Sequence, residues 1–281
     1  MRRPLLLLLT ILGLVAGSMP VAAAPAHERV RPLAQAHAHN DYEHPRPLFD
    51  ALDEGFTSVE ADIFLVGTEL LVAHDPEDLD PARTLSSLYL DPLRERVIRN
   101  HGAVYRGYRG FQLLIDIKTE GESTYAALDA LLRDPRYAFL WSSYRYGRVR
   151  QGAVTAVVSG NRPCATMTAQ PTRVAFYDGR IANTTDLGPG SDARLTPLVS
   201  DNWTNLFTWT GIGAMPADQR AKLRDIVGTA HRAGQRVRFW ATPDVPGPER
   251  DAIWGELVAA GVDHINTDDL KGLADFLREH G

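Results

Sequence analysis

A chain of 281 residues with 44% apolar content can bury one large core, and its length suits a single α/β barrel, which usually takes ~250 residues. Its formal charge of −5 argues against a general nucleic-acid or anionic-membrane surface, so any positive charge at a site must be local. With Cys164 as the only cysteine, an intrachain disulfide is excluded; stability must come from packing, and Cys164 is expected to be a buried thiol.

The chain opens with Arg2 and Arg3, an apolar run from Leu5 to Val15 and the small-residue stretch Val21 to Ala26. This order reads as a signal peptide over residues 1–26; the apolar run is shorter than a membrane span and breaks at Gly17, Ser18 and Pro20. Removing Arg2 and Arg3 would take the formal charge from −5 to −7. We expect a secreted protein whose residues 27–281 form one domain.

Ala34 to His39 is expected to be a short buried strand, Pro47 to Glu54 a helix closed by Gly55, Ser58 to Leu65 a second strand and Leu70 to Ala73 a third. Residues two apart on a strand share a face, so His37 and His39 are expected to point together, as are Glu60 and Asp62. Leu93 to Gly102 reads as a helix. Leu113 to Ile117 is an apolar run of the kind found in strands buried on both faces, and Asp116 interrupts it, with Lys118 two residues on. An acid there is costly unless it is paired or metal-bound.

Tyr125 to Arg133 is expected to be a helix, and Ala153 to Val158, Arg173 to Tyr177 and Leu198 to Ser200 are expected to be strands. Between them Ile181 to Ser191 is polar and glycine-rich, which predicts a surface loop and an irregular middle third. Pro216 to Ala233 places Leu223, Ile226, Val227 and Ala230 on one helical face and stops at Gly234. A strand from Val237 to Ala241, a helix from Pro248 to Gly261, a short strand from His264 to Asn266 and a helix led by Asp268 complete the alternation. Repeated βα units without hairpin dipeptides predict a parallel sheet, and at this length a (β/α)8 barrel of the TIM type.

In such a barrel His37, Glu60, Asp62, His74, Asp116 and Lys118 fall at or just beyond the carboxyl ends of early strands, where barrel enzymes hold their sites. Glu60, Asp62 and Asp116 offer oxygen-only ligation suited to Mg2+ or Ca2+. Two histidines beside such an ion suit acid–base work, and adding Lys118 gives what cleavage of a phosphodiester requires. His39 and His44 read as structural, with His39 orienting the loop Asn40–Tyr42.

The ordered set AHAHND, SVEAD, AHD, LLIDIKT, RFWATPD and GVDHINTDD resembles the phospholipase-C-like phosphodiesterase superfamily, which includes glycerophosphodiester phosphodiesterases and sphingomyelinase-D-type phospholipases. The resemblance implies a TIM barrel, Mg2+ or Ca2+ on Glu60, Asp62 and Asp116, and acid–base catalysis by His37 and His74; Lys118 is expected to assist, and Trp240 and Asn40 to contact the substrate. The expected substrate is a small-molecule or lipid phosphodiester, met by a monomer with at most transient membrane contact. The HAHND and EHPRP segments, and Asp116 in place of a glutamate, lie nearer the sphingomyelinase-D type than the glycerophosphodiesterases. Two other readings stand beside this one: a catalytically inactive secreted binding barrel, and an amidohydrolase-like metal hydrolase using the pair His37 and His39.

Overall fold

The computed structural model describes residues 30–183 and 185–280, so the expected leader over residues 1–26 lies outside the described part. Its strands are β1 (Leu33–Ala38), β2 (Phe56–Val66), β3 (Glu69–Val72), β4 (Phe111–Ile117), β5 (Ser143–Arg145), β6 (Arg148–Arg150), β7 (Val154–Gly160), β8 (Thr172–Arg173), β9 (Ala175–Arg180), β10 (Leu198–Asn202), β11 (Arg236–Trp240) and β12 (His264–Thr267). The parallel strands β1, β2, β4, β7, β9, β10, β11 and β12 follow one another round the sheet, and β12 pairs again with β1, closing a (β/α)8 barrel.

Helices α1 (Phe49–Glu54), α2 (Asp91–Arg99), α3 (Gly121–Leu132), α4 (Cys164–Ala169), α5 (Trp203–Leu206), α6 (Ala217–Arg232), α7 (Pro248–Ala260) and α8 (Leu270–His280) fill the crossovers. Local chemistry sets their limits. The Glu120 side chain accepts from the backbone N–H groups of Glu122 and Ser123 at the start of α3, while Gly55 and Gly261, both left-handed, end α1 and α7. Between β9 and β10 the only helical element among the described residues is a 3-10 turn, Gly188–Gly190, matching the expected irregular middle third.

Two hairpins depart from the all-parallel expectation. β3 runs antiparallel to the upper half of β2, turning at Gly67, so Leu70 to Ala73 extends a stave and is not one itself. β5 and β6 turn through Tyr146 and Gly147, both with positive φ, and with β8 form a small separate sheet. Cys164 is exposed at the start of α4, contrary to the expectation of a buried thiol; it sits in a short surface helix with its sulfur 3.9 Å from the Thr168 hydroxyl.

Strand alternation divides the core. Outward residues of the staves pack with the helices into one cluster that includes Val59, Ile115, Val158, Phe239 and Ile265. Inside the barrel Leu114, Val157, Phe176 and Leu198 form a small apolar plug, whereas His37, Ser58 and Gln112 make the other side of the lumen polar.

Asp41, just past β1, illustrates what such burial does. Its Oδ2 accepts from the Leu48 N–H (2.6 Å) and the Tyr89 hydroxyl (2.9 Å), its Oδ1 has no partner among the described residues, and burial pushes its pKa from 3.8 to about 7. The folded chain then keeps a proton that the unfolded chain has released, so stability present at pH 4 is lost as pH rises through 7, by up to about 4 kcal/mol. Asp41→Asn keeps one acceptor and is expected to remove most of that fall. Urea midpoints at pH 4.5 and 7.5 check it: an equally steep fall in the variant would place the proton elsewhere.

Candidate active site

The carboxyl ends of the staves bring Glu60, Asp62, Asp116, Lys118 and Trp240 around one cleft of about 200 Å³, together with His39, Asn40, His74, Ser159, Arg180 and Arg238. Register explains the grouping. Asp62 of β2 lies beside Asp116 of β4, which lies beside Ser159 of β7, and each faces inward because its outward neighbours are apolar.

Oxygen atoms of Glu60, Asp62 and Asp116 approach within 4.8 Å of one another. Lys118 Nζ lies 2.9 Å from Asp62 Oδ2 and 3.2 Å from Asp116 Oδ1, and Arg238 donates to Glu60 Oε2 at 2.6 Å. Two cations thus face three carboxylates. Burial works against charge on Glu60, but the Arg238 guanidinium and the His37 hydrogen bond hold its carboxyl well below the usual range. Asp62 goes the other way: burial, then the neighbouring Glu60 charge, raise it to about 6, and burial likewise raises Asp116. Asp62 Oδ1 is buried without a partner among the described residues. An orphaned carboxylate oxygen beside two further carboxylates is the donor set a hard divalent cation takes, so the residues fit Mg2+ or Ca2+.

His37 does not reach the cleft. It is fully buried one layer below Glu60, with Nδ1 2.7 Å from Ser58 Oγ and Nε2 3.4 Å from Glu60 Oε2, and burial together with Arg238 lowers its pKa to about 4. Beneath it runs a polar chain. Arg236 donates to Gln112 Oε1 (2.8 Å), whose Nε2 donates to Ser58 Oγ (2.9 Å); the Ser58 proton is thereby left for His37 Nδ1, and the His37 proton on Nε2 faces Glu60.

His39 takes the place expected of His37. β1 ends at Ala38, so His39 lies beyond the strand and turns into the cleft, Nδ1 being 2.8 Å from Asp268 Oδ1. Burial alone would lower its pKa, but the bond to Asp268 and the nearby Glu60 raise it above the ordinary value. His74, just past β3 and half exposed, has Nδ1 3.1 Å from the Tyr42 hydroxyl and 3.4 Å from Asp62 Oδ2.

Tyr42, Arg238, Asp268, Arg180 and Ser159 were not among the expected site residues. The Tyr42 hydroxyl donates to Asp62 Oδ2 at 2.6 Å and lies 3.0 Å from Asn40 Oδ1, tying Asn40, Asp62 and His74 together; burial and the Asp62 charge keep it protonated. A signal for Arg238 existed: two arginines alternating in RVRFW are as anomalous in a buried strand as Asp116 is in LLIDIK. Arg180 donates to Asp178 at 2.9 Å, and that pairing of β9 with itself has no comparable sequence mark.

Known proteins resemble this chain in sequence and in fold. Residues 26–178 match the model of the AIM6-like phosphodiesterase domain, and residues 236–271 match that of the glycerophosphoryl diester phosphodiesterase family. Altered inheritance of mitochondria protein 6 of Eremothecium gossypii is 31% identical, the match covering 91% of this chain and 72% of that protein. Its homolog from Arthroderma benhamiae is 28% identical over 85% of this chain and 82% of its own. Among solved structures, a glycerophosphoryl diester phosphodiesterase from Parabacteroides distasonis superposes with a TM-score of 0.50 at 13% identity, covering 88% of this chain and 87% of that one, which shows the shared barrel. With the acidic cluster at the carboxyl ends of its staves and this family match over more than half its length, the chain belongs to the AIM6-like phosphodiesterase family, within the phospholipase-C-like phosphodiesterase superfamily.

Proposed function

We propose that the protein is a secreted phosphodiesterase that cleaves a small-molecule or lipid phosphodiester with one Mg2+ or Ca2+ held by Glu60, Asp62 and Asp116. The observation that carries the reading is the convergence of those three carboxylates within 4.8 Å, in a cleft that also holds His39, His74, Lys118 and Arg180. The ion, when bound, supplies Lewis-acid neutralisation of phosphoryl charge. Lys118 and Arg180 add fixed positive charge, and the Trp240 indole at the end of β11 offers an apolar or cation-binding wall for the substrate's body.

His39 accepts the proton of the attacking hydroxyl, because its bond to Asp268 fixes the ring and stabilises its charged form. His74 gives a proton to the leaving alkoxide, and Tyr42 and Asn40 hold its edge of the cleft. His37 acts as a positioning residue for Glu60. This geometry disfavours the amidohydrolase-like reading, since His37 faces Ser58 and His39 faces Asp268, and the two do not converge on one metal position.

Phosphorus NMR of the pure protein with Mg2+ or Ca2+ and, separately, lysophosphatidylcholine, sphingomyelin, phosphatidylinositol and glycerophosphocholine tests the reading. At least one is expected to give a phosphomonoester or cyclic phosphate, which also separates attack by water from internal attack. No product from any of them would favour the inactive binding barrel.

A further inference from the structure

The amino ends of the staves enclose a second cavity, of about 470 Å³, opposite the cleft that holds the acidic cluster. Arg109, Arg194 and Arg236 line it, with Gln151 and Thr155 as further polar groups and Phe176 as an apolar wall. Among the described residues no carboxylate lines it, in a chain whose formal charge is −5.

The arginines there are poorly compensated. Arg194 is paired with Asp192 at 2.9 Å, but among the described residues neither Arg109 nor Arg236 has an ion-pair partner. The one hydrogen bond that the Arg236 guanidinium makes among those residues goes to the neutral Gln112 Oε1. Burial lowers the Arg236 pKa and outweighs the opposing field of Asp263, which lies too far away to form an ion pair with it. Behind Arg236 an adjoining hollow of about 350 Å³ is lined by Asp263 and by His264, which is 2% exposed and has no partner for either ring nitrogen among the described residues. Unmet cationic and polar groups around a preformed hollow are what an anion completes.

We propose that this amino-terminal mouth of the barrel is a second ligand site, taking a small organic phosphate whose phosphoryl group sits between Arg109 and Arg236. Planar guanidinium forks bind phosphoryl oxygens in pairs, and two of them match the charge of a phosphomonoester dianion. Phe176 gives the organic part an apolar surface, and the hollow lies within the size range of small-molecule pockets. The proposal does not depend on what the opposite cleft does.

The test is a phosphorus NMR titration of the chelator-treated full chain, at fixed ionic strength, with glycerol 3-phosphate and with inorganic phosphate. Saturable binding is expected, tighter for the ester, weakened at least tenfold by Arg109→Ala and by Arg236→Gln and unchanged by Lys118→Gln at the opposite mouth. Arg109 and Arg194 are exposed, so Arg109→Ala and Arg194→Ala keep the test decisive if Arg236→Gln does not fold. Binding that survives the arginine variants, that follows Lys118, that is equal for ester and free phosphate, or that is absent for both would overturn it.

Discussion

His39→Asn is expected to lower turnover of the cleaved phosphodiester by about 10²- to 10⁴-fold while the barrel and its affinity for metal persist, and His74→Asn is expected to cost a similar factor. His39 enters the cleft from beyond β1 with Asp268 behind its Nδ1, and His74 enters from the β2–β3 hairpin with Tyr42 behind its own. Because the two act on one event, the double variant should lose much less than the product of the single losses. A nitrophenyl phosphodiester, whose leaving group needs no protonation, should restore the His74 variant and not the His39 variant. His37→Asn behaves differently. It removes one of the two side chains, His37 and Arg238, that donate to Glu60, so metal affinity should drop about 10- to 100-fold, with turnover recovering at saturating metal. If His37→Asn loses turnover irrecoverably and His39→Asn does not, the roles assigned to the two are reversed.

Chelation is expected to abolish activity altogether, and Mg2+ or Ca2+ to restore it. Three carboxylates of which one has an unpartnered oxygen are poorly neutralised by Lys118 and Arg238 alone, and a divalent cation offsets the repulsion that raises Asp62. Asp62→Asn and Asp116→Asn each exchange an anionic ligand for a neutral amide and should weaken metal binding sharply. A readout independent of turnover exists: the metal binds only the folded cluster, so the melting temperature of the parent should rise with added metal and that of either variant should not. Full turnover in excess EDTA would remove the metal from the mechanism.

Much of this site was legible because burial makes charge conspicuous. Asp116 inside LLIDIK, and Glu60 with Asp62 in SVEAD, announce inward positions on buried strands, and all three meet in the cleft. The histidines were harder to read, for a reason of strand length. The two-residue period holds only while the strand lasts, and β1 stops at Ala38; His37 therefore points into the lumen beside Ser58, whereas His39 follows the turn towards Asn40, whose φ is 44°. The pairs Arg238 with Glu60 and His39 with Asp268 are separated by 178 and 229 residues, and no local pattern says which staves will face each other across a closed ring. β3 was legible as a strand but not in its direction, which Gly67 sets by turning the chain back on β2.

The pairing that closes the barrel has a consequence for how the molecule comes into being. β1 is hydrogen-bonded to both β2 and β12, with Ala38 opposite Thr267, so the earliest stave waits on one side for the last. Contacts that distant in the chain must overcome a large loop-closure cost before they stabilise anything, which slows refolding. During synthesis the acidic trio, all within Glu60 to Asp116, can gather long before Asp268 leaves the ribosome to meet His39. The three carboxylates proposed to hold the metal thus all emerge before Asp268 does, and closure of the ring is the step that brings Asp268 to His39.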